Sequence, residues 1–184
     1  MATAAEVIAS WPEESREAAQ LVIDAHGEPH EITETQLTWH QVGPWKRMVA
    51  TKVFFDHAFP TRHIDAVESF IDYRVPPDKF TALAEFDGSV IAERTAGEVS
   101  ARCHDEQANF LALNLMHDIV TGTKTVEQAR EYYGKEFLDF RRQNPTPYMD
   151  GLRFEPAHGD AADPDDPILS DKELEEAKQQ GEAS

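Results

Sequence analysis

The residues from His104 to Gly122 constrain the fold more than any other stretch, because they predict one helix that is apolar around most of its circumference. A helix of this kind is normally buried. Buried polar groups need hydrogen-bond partners, so polar residues on it indicate either a structural network or the wall of a site. The predicted helix carries a strip of such residues, formed by Glu106, Gln107, Asn114, His117 and Asp118.

The sequence before this helix predicts an antiparallel sheet. Apolar alternation favours a hairpin from residues 37–41 and 46–55, a half-buried strand at 66–75, and a second hairpin from 89–94 and 98–103. Parallel crossover units are not apparent. We therefore predict an α+β fold in which helices cover an antiparallel sheet of about five strands.

The domain boundaries are predicted from composition. Residues 10–155 are expected to form a single globular domain, and residues 156–184 an acidic, disordered tail. Residues 155–184 contain ten acids and two bases, a net charge of −8, which leaves −10 of the total −18 for the rest of the chain. The predicted domain is therefore acidic in its own right.

The net negative charge of the chain disfavours two classes of partner. An acidic surface repels the phosphates of nucleic acids and anionic membranes, so neither is expected as a partner. The N-terminus has no basic leader or apolar signal segment, and no stretch reaches the length of a membrane span. These features predict a cytoplasmic protein. Cys103 is the only cysteine, which excludes an intrachain disulfide, and its place at the end of a strand favours a buried, inert thiol.

The first candidate site lies on the predicted buried helix. Asn114, His117 and Asp118 fall on one side of it, and Glu106 lies two to three turns earlier. A histidine beside amide and carboxylate groups can act as a general base or bind a metal, which makes His117 and Asp118 candidate catalytic residues. A structural role competes with this hypothesis, because a histidine near a helix C-terminus interacts well with the free carbonyl groups there.

The second candidate site lies in residues 56–65, which are predicted to form a loop around Pro60. His57, His63 and Asp65 offer the ligand types of a zinc or iron site. Metal sites usually draw their ligands from rigid elements, so an ordinary solvated loop is the favoured interpretation. A divalent metal is therefore the only cofactor indicated, and it is not favoured.

Two further features have weaker functional interpretations. The turn at residues 43–47 is the most basic part of the chain that is expected to be exposed, and Trp45 and Arg47 are its candidate contacts to an anionic ligand. The adjacent pair Cys103-His104 contains a nucleophile and a base. Neighbouring side chains at a strand–helix junction usually point apart, so a cysteine nucleophile is disfavoured.

Five segments together resemble a family of prokaryotic conserved hypothetical proteins. They are Ser15–Pro29, Trp39–Arg47, Phe70–Pro76, Glu85–Cys103 and Asn109–Gly122. The resemblance implies one intact domain over most of residues 10–155 with a variable acidic tail. It implies no activity, cofactor or catalytic residue.

Three functional hypotheses follow from the sequence. The first is a domain that binds a small molecule or a protein partner, with Glu106, Asn114, Trp45 and Arg47 as ligand-binding residues. The second is a metal- or histidine-dependent hydrolase that uses His117 and Asp118 together with His63 and Asp65. The third is a structural or assembly protein that uses its acidic tail.

Overall fold

Six strands form one antiparallel sheet in the computed structural model, which describes residues 3–182. The strands are β1 (Glu31–Ile32), β2 (Gln36–Val42), β3 (Trp45–His57), β4 (His63–Asp72), β5 (Val90–Glu93) and β6 (Glu98–Cys103). Their order across the sheet is β1-β2-β3-β4-β6-β5. The predicted α+β class and antiparallel sheet are confirmed. The sixth strand is β1, whose two residues are too short to produce an alternating pattern.

Six α-helices accompany the sheet within residues 3–182. They are α1 (Ala4–Ile8), α2 (Glu13–His26), α3 (Phe80–Phe86), α4 (Glu106–Thr121), α5 (Val126–Arg141) and α6 (Asp171–Glu182). The side chain of Asp105 accepts a hydrogen bond from the backbone of Ala108 and so caps the start of α4. Gly122 ends α4 with a left-handed φ of 77°, a conformation that favours glycine. The capping box predicted for Thr125 and Gln128 is present at the start of α5.

Helix α4 is the central helix of the fold. Eleven of its sixteen residues are buried, which agrees with its apolar circumference. It packs on β4 and β6 and also contacts α3 and α5. Leu111, Leu113, Leu115 and Met116 are fully buried in the core between α4 and its neighbours.

The face of the sheet opposite to the buried core carries an ionic network. Arg47 forms two hydrogen bonds of 2.8 Å to the carboxylate of Glu98, and the Lys46 ammonium lies 2.6 Å from Glu98 and 2.8 Å from Asp72. The Arg47 guanidinium also lies 3.7 Å from the centre of the Phe70 ring. The hydrogen bonds from Arg47 outweigh the effect of burial and lower the pKa of Glu98.

Replacing Glu98 by glutamine is expected to lower the free energy of unfolding at pH 7 by about 1–3 kcal/mol, because two cations lose their shared anion. The pKa of Glu98 is lower in the folded protein, so its contribution is complete above the unfolded value of 4.5. The contribution is then lost as the pH falls through the lowered pKa. Urea unfolding of both proteins between pH 3 and pH 7 measures this difference.

Glu93 is a matched control, because it is exposed and lies directly opposite Glu98 on β5. The Glu93→Gln substitution should change stability by less than about 0.5 kcal/mol. A Glu98→Gln deficit that stays constant down to pH 3 would show that the ionised carboxylate does not stabilise the fold.

The packed part of the chain extends beyond the predicted range of 10–155 at both ends. Ala4 and Ile8 of α1 are buried in the core. At the other end, the segment 156–165 lies against the body, where the Ala157 amide donates to the Asp72 carbonyl and Ala161 is buried. Gly97 permits this packing, because a Cβ atom at that position would collide with the backbone of Ala161.

The last part of the chain behaves differently from the segment 156–165. Helix α6 has no buried residue, and the disorder predicted for residues 156–184 stays a prediction. No helix within residues 3–182 combines the length and the apolar character needed to cross a membrane.

Candidate metal site at the end of the β3–β4 hairpin

The β3–β4 hairpin brings His57 and His63 together. They are directly opposite partners in the antiparallel register, and their ring centres are 4.9 Å apart. The prediction of a loop over residues 56–65 was too long, because β3 continues to His57 and β4 begins at His63. The strand pairing extends past the apolar alternation, so hydrophobic pattern alone could not reveal it.

The short connection between the two histidines is anchored to the core by Phe59. The Phe59 ring lies 5.0 Å from the Tyr133 ring and 6.2 Å from the Phe86 ring, measured between centres. The Arg130 guanidinium covers the Phe59 ring at 3.9 Å. Both histidines therefore sit on strands next to a fixed connection, and not in a solvated loop.

Asp65 completes the cluster. It lies two residues after His63, so both side chains are on the same face of β4. His63 Nε2 lies 3.1 Å from Asp65 Oδ1, and His57 Nδ1 lies 3.4 Å from Asp65 Oδ2. One ligand atom from each of the three residues lies within 4.8 Å of the other two. Asp65 is only 1% exposed, whereas the two histidine side chains are partly exposed.

Each of the three side chains also has an outer partner. The Nδ1 atom of His63 lies 2.8 Å from the carbonyl oxygen of Thr61, to which it can donate. The hydroxyl of Ser89 donates to Asp65 Oδ2. The Nε2 atom of His57 lies 3.5 Å from Asp87 Oδ1. These contacts hold the remaining atoms of the cluster, while His57 Nδ1, His63 Nε2 and the Asp65 carboxylate face one another.

Two polar atoms inside this cluster make no hydrogen bond of good geometry, although each faces another member of the cluster at 3.1 Å or 3.4 Å. Among the residues that the structure describes, four buried side-chain atoms lack such a hydrogen bond, and two of them are His57 Nδ1 and Asp65 Oδ1. A buried polar atom without a partner is costly and calls for an explanation. Lone pairs that converge on one point are stabilised by a cation placed between them.

A proton is the cation that the metal-free cluster can hold. Burial acts to lower the pKa of His63, but the interactions with Asp65 and Cys103 outweigh it and raise the pKa to about 11. The Cys103 sulfur lies 3.3 Å from His63 Nε2. Burial raises the pKa of Cys103, which agrees with the predicted buried thiol. Burial also raises the pKa of Asp87.

A pocket of about 390 Å³ opens onto the exposed side of the cluster. His57 and His63 form part of its wall, whereas Asp65 lies behind them in the interior. The pocket lining is completed by Asp56, Ala58, Arg62 and Ile64. A cation in the cluster would therefore be bound by these side chains from the interior, and a molecule in the pocket could contact it from the exposed side.

The structure does not bring His117 together with this cluster. His117 contacts Tyr73, whose hydroxyl lies 2.9 Å from His117 Nδ1, and it stacks on Phe154 at 4.3 Å. Tyr73 follows the far end of β4, ten residues after His63, and ten strand residues span on the order of 30 Å. The contact between Tyr73 and His117 therefore lies at the opposite end of β4 from the cluster. Burial lowers the pKa of His117. The predicted combination of His117 and Asp118 with His63 and Asp65 in one site is therefore not formed.

Asp118 and Asn114 take part in structural networks. The Asp118 carboxylate lies 2.6 Å from the Lys124 ammonium and accepts a hydrogen bond of 3.0 Å from the Tyr148 hydroxyl. The Asn114 amide donates to the carbonyl oxygens of Tyr148 and Gly151 and accepts from the backbone amide of Arg153. The segment 148–153 thus provides all the partners of Asn114 and one partner of Asp118.

The remaining predicted ligand residues are also engaged within the fold. Glu106 accepts a hydrogen bond of 2.5 Å from the Trp45 indole and lies 3.0 Å from His26 Nε2. The expectation that Trp45 is exposed was wrong, because the residue is 1% exposed and its ring stacks on Phe110 at 4.6 Å. Arg47 is occupied by the Glu98 carboxylate.

Sequence reasoning missed the outer partners of the cluster. Asp87 and Ser89 both lie just before β5, which begins at Val90, and they reach the cluster only through the tertiary fold. Their distance in sequence from the three candidate ligands means that no local spacing predicts them. A usable local signal did exist for His63 and Asp65, because residues two apart on a strand share a face.

Comparisons with protein-family models, with curated proteins and with solved structures found no match to this chain. The resemblance to a family of prokaryotic hypothetical proteins therefore stays a prediction.

Proposed function

We propose that this protein binds one divalent transition metal ion, zinc in the first place, through His57, His63 and Asp65, and that the ion binds a small molecule from the adjoining pocket. The observation that carries this proposal is the convergence of three residues, each with one ligand atom within 4.8 Å of the other two. The same group contains two buried atoms, His57 Nδ1 and Asp65 Oδ1, that make no hydrogen bond of good geometry.

The ligand set supports a metal with an open coordination position. Two histidines and one carboxylate are the protein ligands of several catalytic zinc sites, and the same set binds non-haem iron. Two ligands at about 2.1 Å from a tetrahedral ion lie about 3.4 Å apart. The contacts of 3.1 Å and 3.4 Å from Asp65 to the two histidines are close to that separation.

The outer partners support the same assignment. A histidine that binds a metal usually donates its other ring N–H group to a carbonyl or carboxylate oxygen, which fixes the ring and its tautomer. Thr61 can serve His63 in this way, and Asp87 can serve His57. The hydroxyl of Ser89 similarly fixes Asp65. An accidental group of titratable side chains would not be expected to have an outer partner for each member.

The position of the pocket determines what the ion can do. Three protein ligands leave at least one position free, and the partly exposed histidines place it toward the pocket. A molecule in the pocket can therefore bind the ion directly.

Hydrolysis is a second candidate function, because Asp56 lines the same pocket. An open zinc site lowers the pKa of bound water to about 7, and a nearby carboxylate can accept the proton.

Cobalt(II), which has visible absorption bands, tests metal binding directly. Metal-free wild-type protein is expected to bind about one equivalent in a tetrahedral or five-coordinate site. His57→Ala and His63→Ala should each weaken cobalt binding by more than about 100-fold, because each removes a direct ligand.

The hydrolase hypothesis requires a second result. The zinc-loaded protein should cleave a p-nitrophenyl ester, and Asp56→Asn should reduce the rate of cleavage.

His117→Ala is the matched control, because His117 is another partly buried histidine in a separate cluster. Its cobalt affinity should equal that of the wild type, and circular dichroism verifies that each variant is folded. Wild-type protein that binds less than about a tenth of an equivalent of both cobalt and zinc would contradict the proposed function.

A further inference from the structure

Arg62 is a cation without a partner in the wall of the metal-site pocket. Within residues 3–182, its guanidinium forms no ion pair, hydrogen bond or ring contact. The chain has 35 acids and 17 lysines and arginines, so a basic side chain has many carboxylates available. An arginine that stays free in such a chain, beside a pocket, is available to a ligand.

The other arginines illustrate the contrast. Arg47 and Arg74 form close ion pairs with Glu98 and Asp163, and Arg130 donates to the carbonyl oxygen of Phe86. Of the ten arginines, all within the described range, only Arg16 and Arg62 have side chains without a partner. Arg16 lines a different depression beside α1 and α2.

The rest of the pocket wall limits what can enter. Ala58 and Ile64 provide apolar surface, and the pocket volume of about 390 Å³ suits a small molecule. A cation in the cluster and the Arg62 guanidinium would supply two positive groups at one pocket. Asp56 is the single carboxylate in the pocket lining outside the cluster, and it opposes ligands with a high negative charge.

We propose that Arg62 is a specificity-determining residue that holds a small oxyanion, a carboxylate or a phosphate group, while one oxygen of that ligand binds the metal. This inference rests on the proposed metal site and names the class of ligand that the site takes. The planar guanidinium matches two oxygens of a carboxylate or phosphate, which gives strong charge-assisted hydrogen bonds.

The test uses the 184-residue chain loaded with cobalt(II), whose absorption bands are the signal. Acetate and inorganic phosphate are the anionic probes, and imidazole is a neutral probe that also binds the metal. Arg62→Ala should weaken the binding of at least one anion by about tenfold or more and leave imidazole unchanged. Arg62→Lys should retain part of the affinity, because it keeps the charge but loses the planar pair of donors. The anion that loses more affinity identifies the preferred group.

Arg16→Ala is the matched control, because it removes an equally unpaired arginine from another surface and should not change the affinity for any probe. Unchanged affinity of Arg62→Ala for both anions, or an equal loss for imidazole, would overturn the assignment of Arg62. Cobalt loading is measured before any probe is added. If wild-type protein does not bind cobalt, the proposed metal site is wrong. If it binds cobalt but Arg62→Ala leaves the affinity for both anions unchanged, only the role of Arg62 is wrong.

Discussion

Replacing Asp65 by asparagine is expected to weaken cobalt and zinc binding by at least about a thousandfold. Asparagine keeps the size of the side chain but removes the negative charge and leaves a weak amide oxygen as the only acceptor. The buried position of Asp65 leaves little room for water to take over as a ligand. Titration with a competing chelator of known affinity measures the change.

Asp87→Asn gives the matched comparison, because Asp87 is another buried aspartate that lies next to His57 without belonging to the group of three. Loss of an outer partner typically costs about 10–100-fold in metal affinity, so this variant should fall between the wild type and Asp65→Asn. Equal effects of the two substitutions would contradict the assignment of Asp65 as a ligand and of Asp87 as the outer partner of His57. Thermal unfolding of the metal-free variants shows whether either substitution acts through the fold.

Replacing Asn114 by alanine is expected to lower the free energy of unfolding by about 3 kcal/mol. The side chain is 2% exposed and serves three backbone groups of the segment 148–153. Without it, two carbonyl oxygens and one amide lose their partner in a part of the chain that has no regular secondary structure. Urea denaturation at pH 7 measures the effect.

Asn144 is the control for this prediction, because it is exposed and makes a single side-chain hydrogen bond to Asp139. Asn144→Ala should cost less than about 0.5 kcal/mol. If Asn114→Ala were as stable as the wild type, Asn114 would again be a candidate for ligand binding. If Asn114 has only a structural role, metal affinity stays unchanged in the Asn114→Ala variant.

Much of the fold could be predicted because local patterns coincide with it. The apolar circumference of α4 indicated a central buried helix, and the capping residues at Asp105 and Thr125 mark where α4 and α5 begin. The extent of the sheet was harder to predict. Hydrogen bonds between β3 and β4 continue to His57 and His63, where the side chains no longer alternate between apolar and polar.

The candidate site was only partly predictable for the same reason. His57, His63 and Asp65 are close in sequence, so their residue types suggested a metal before their geometry was known. Spacing along α4 also grouped Asn114, His117 and Asp118, but it could not show that Tyr148, Tyr73 and Lys124 satisfy them. Whether a polar residue is free or engaged depends on partners that are distant in sequence, and no local pattern contains that information.

The hairpin origin of the cluster has a consequence for folding. The three candidate ligands lie within nine consecutive residues, so the unfolded chain can also gather them around an ion at a modest loss of conformational entropy. A ligand that binds both states stabilises the native state only by the difference between the two affinities. Saturating metal should therefore raise the melting temperature by less than the metal affinity of the folded protein alone would suggest. The ion can also bind the hairpin early in folding, before the residues next to β5 have packed against it.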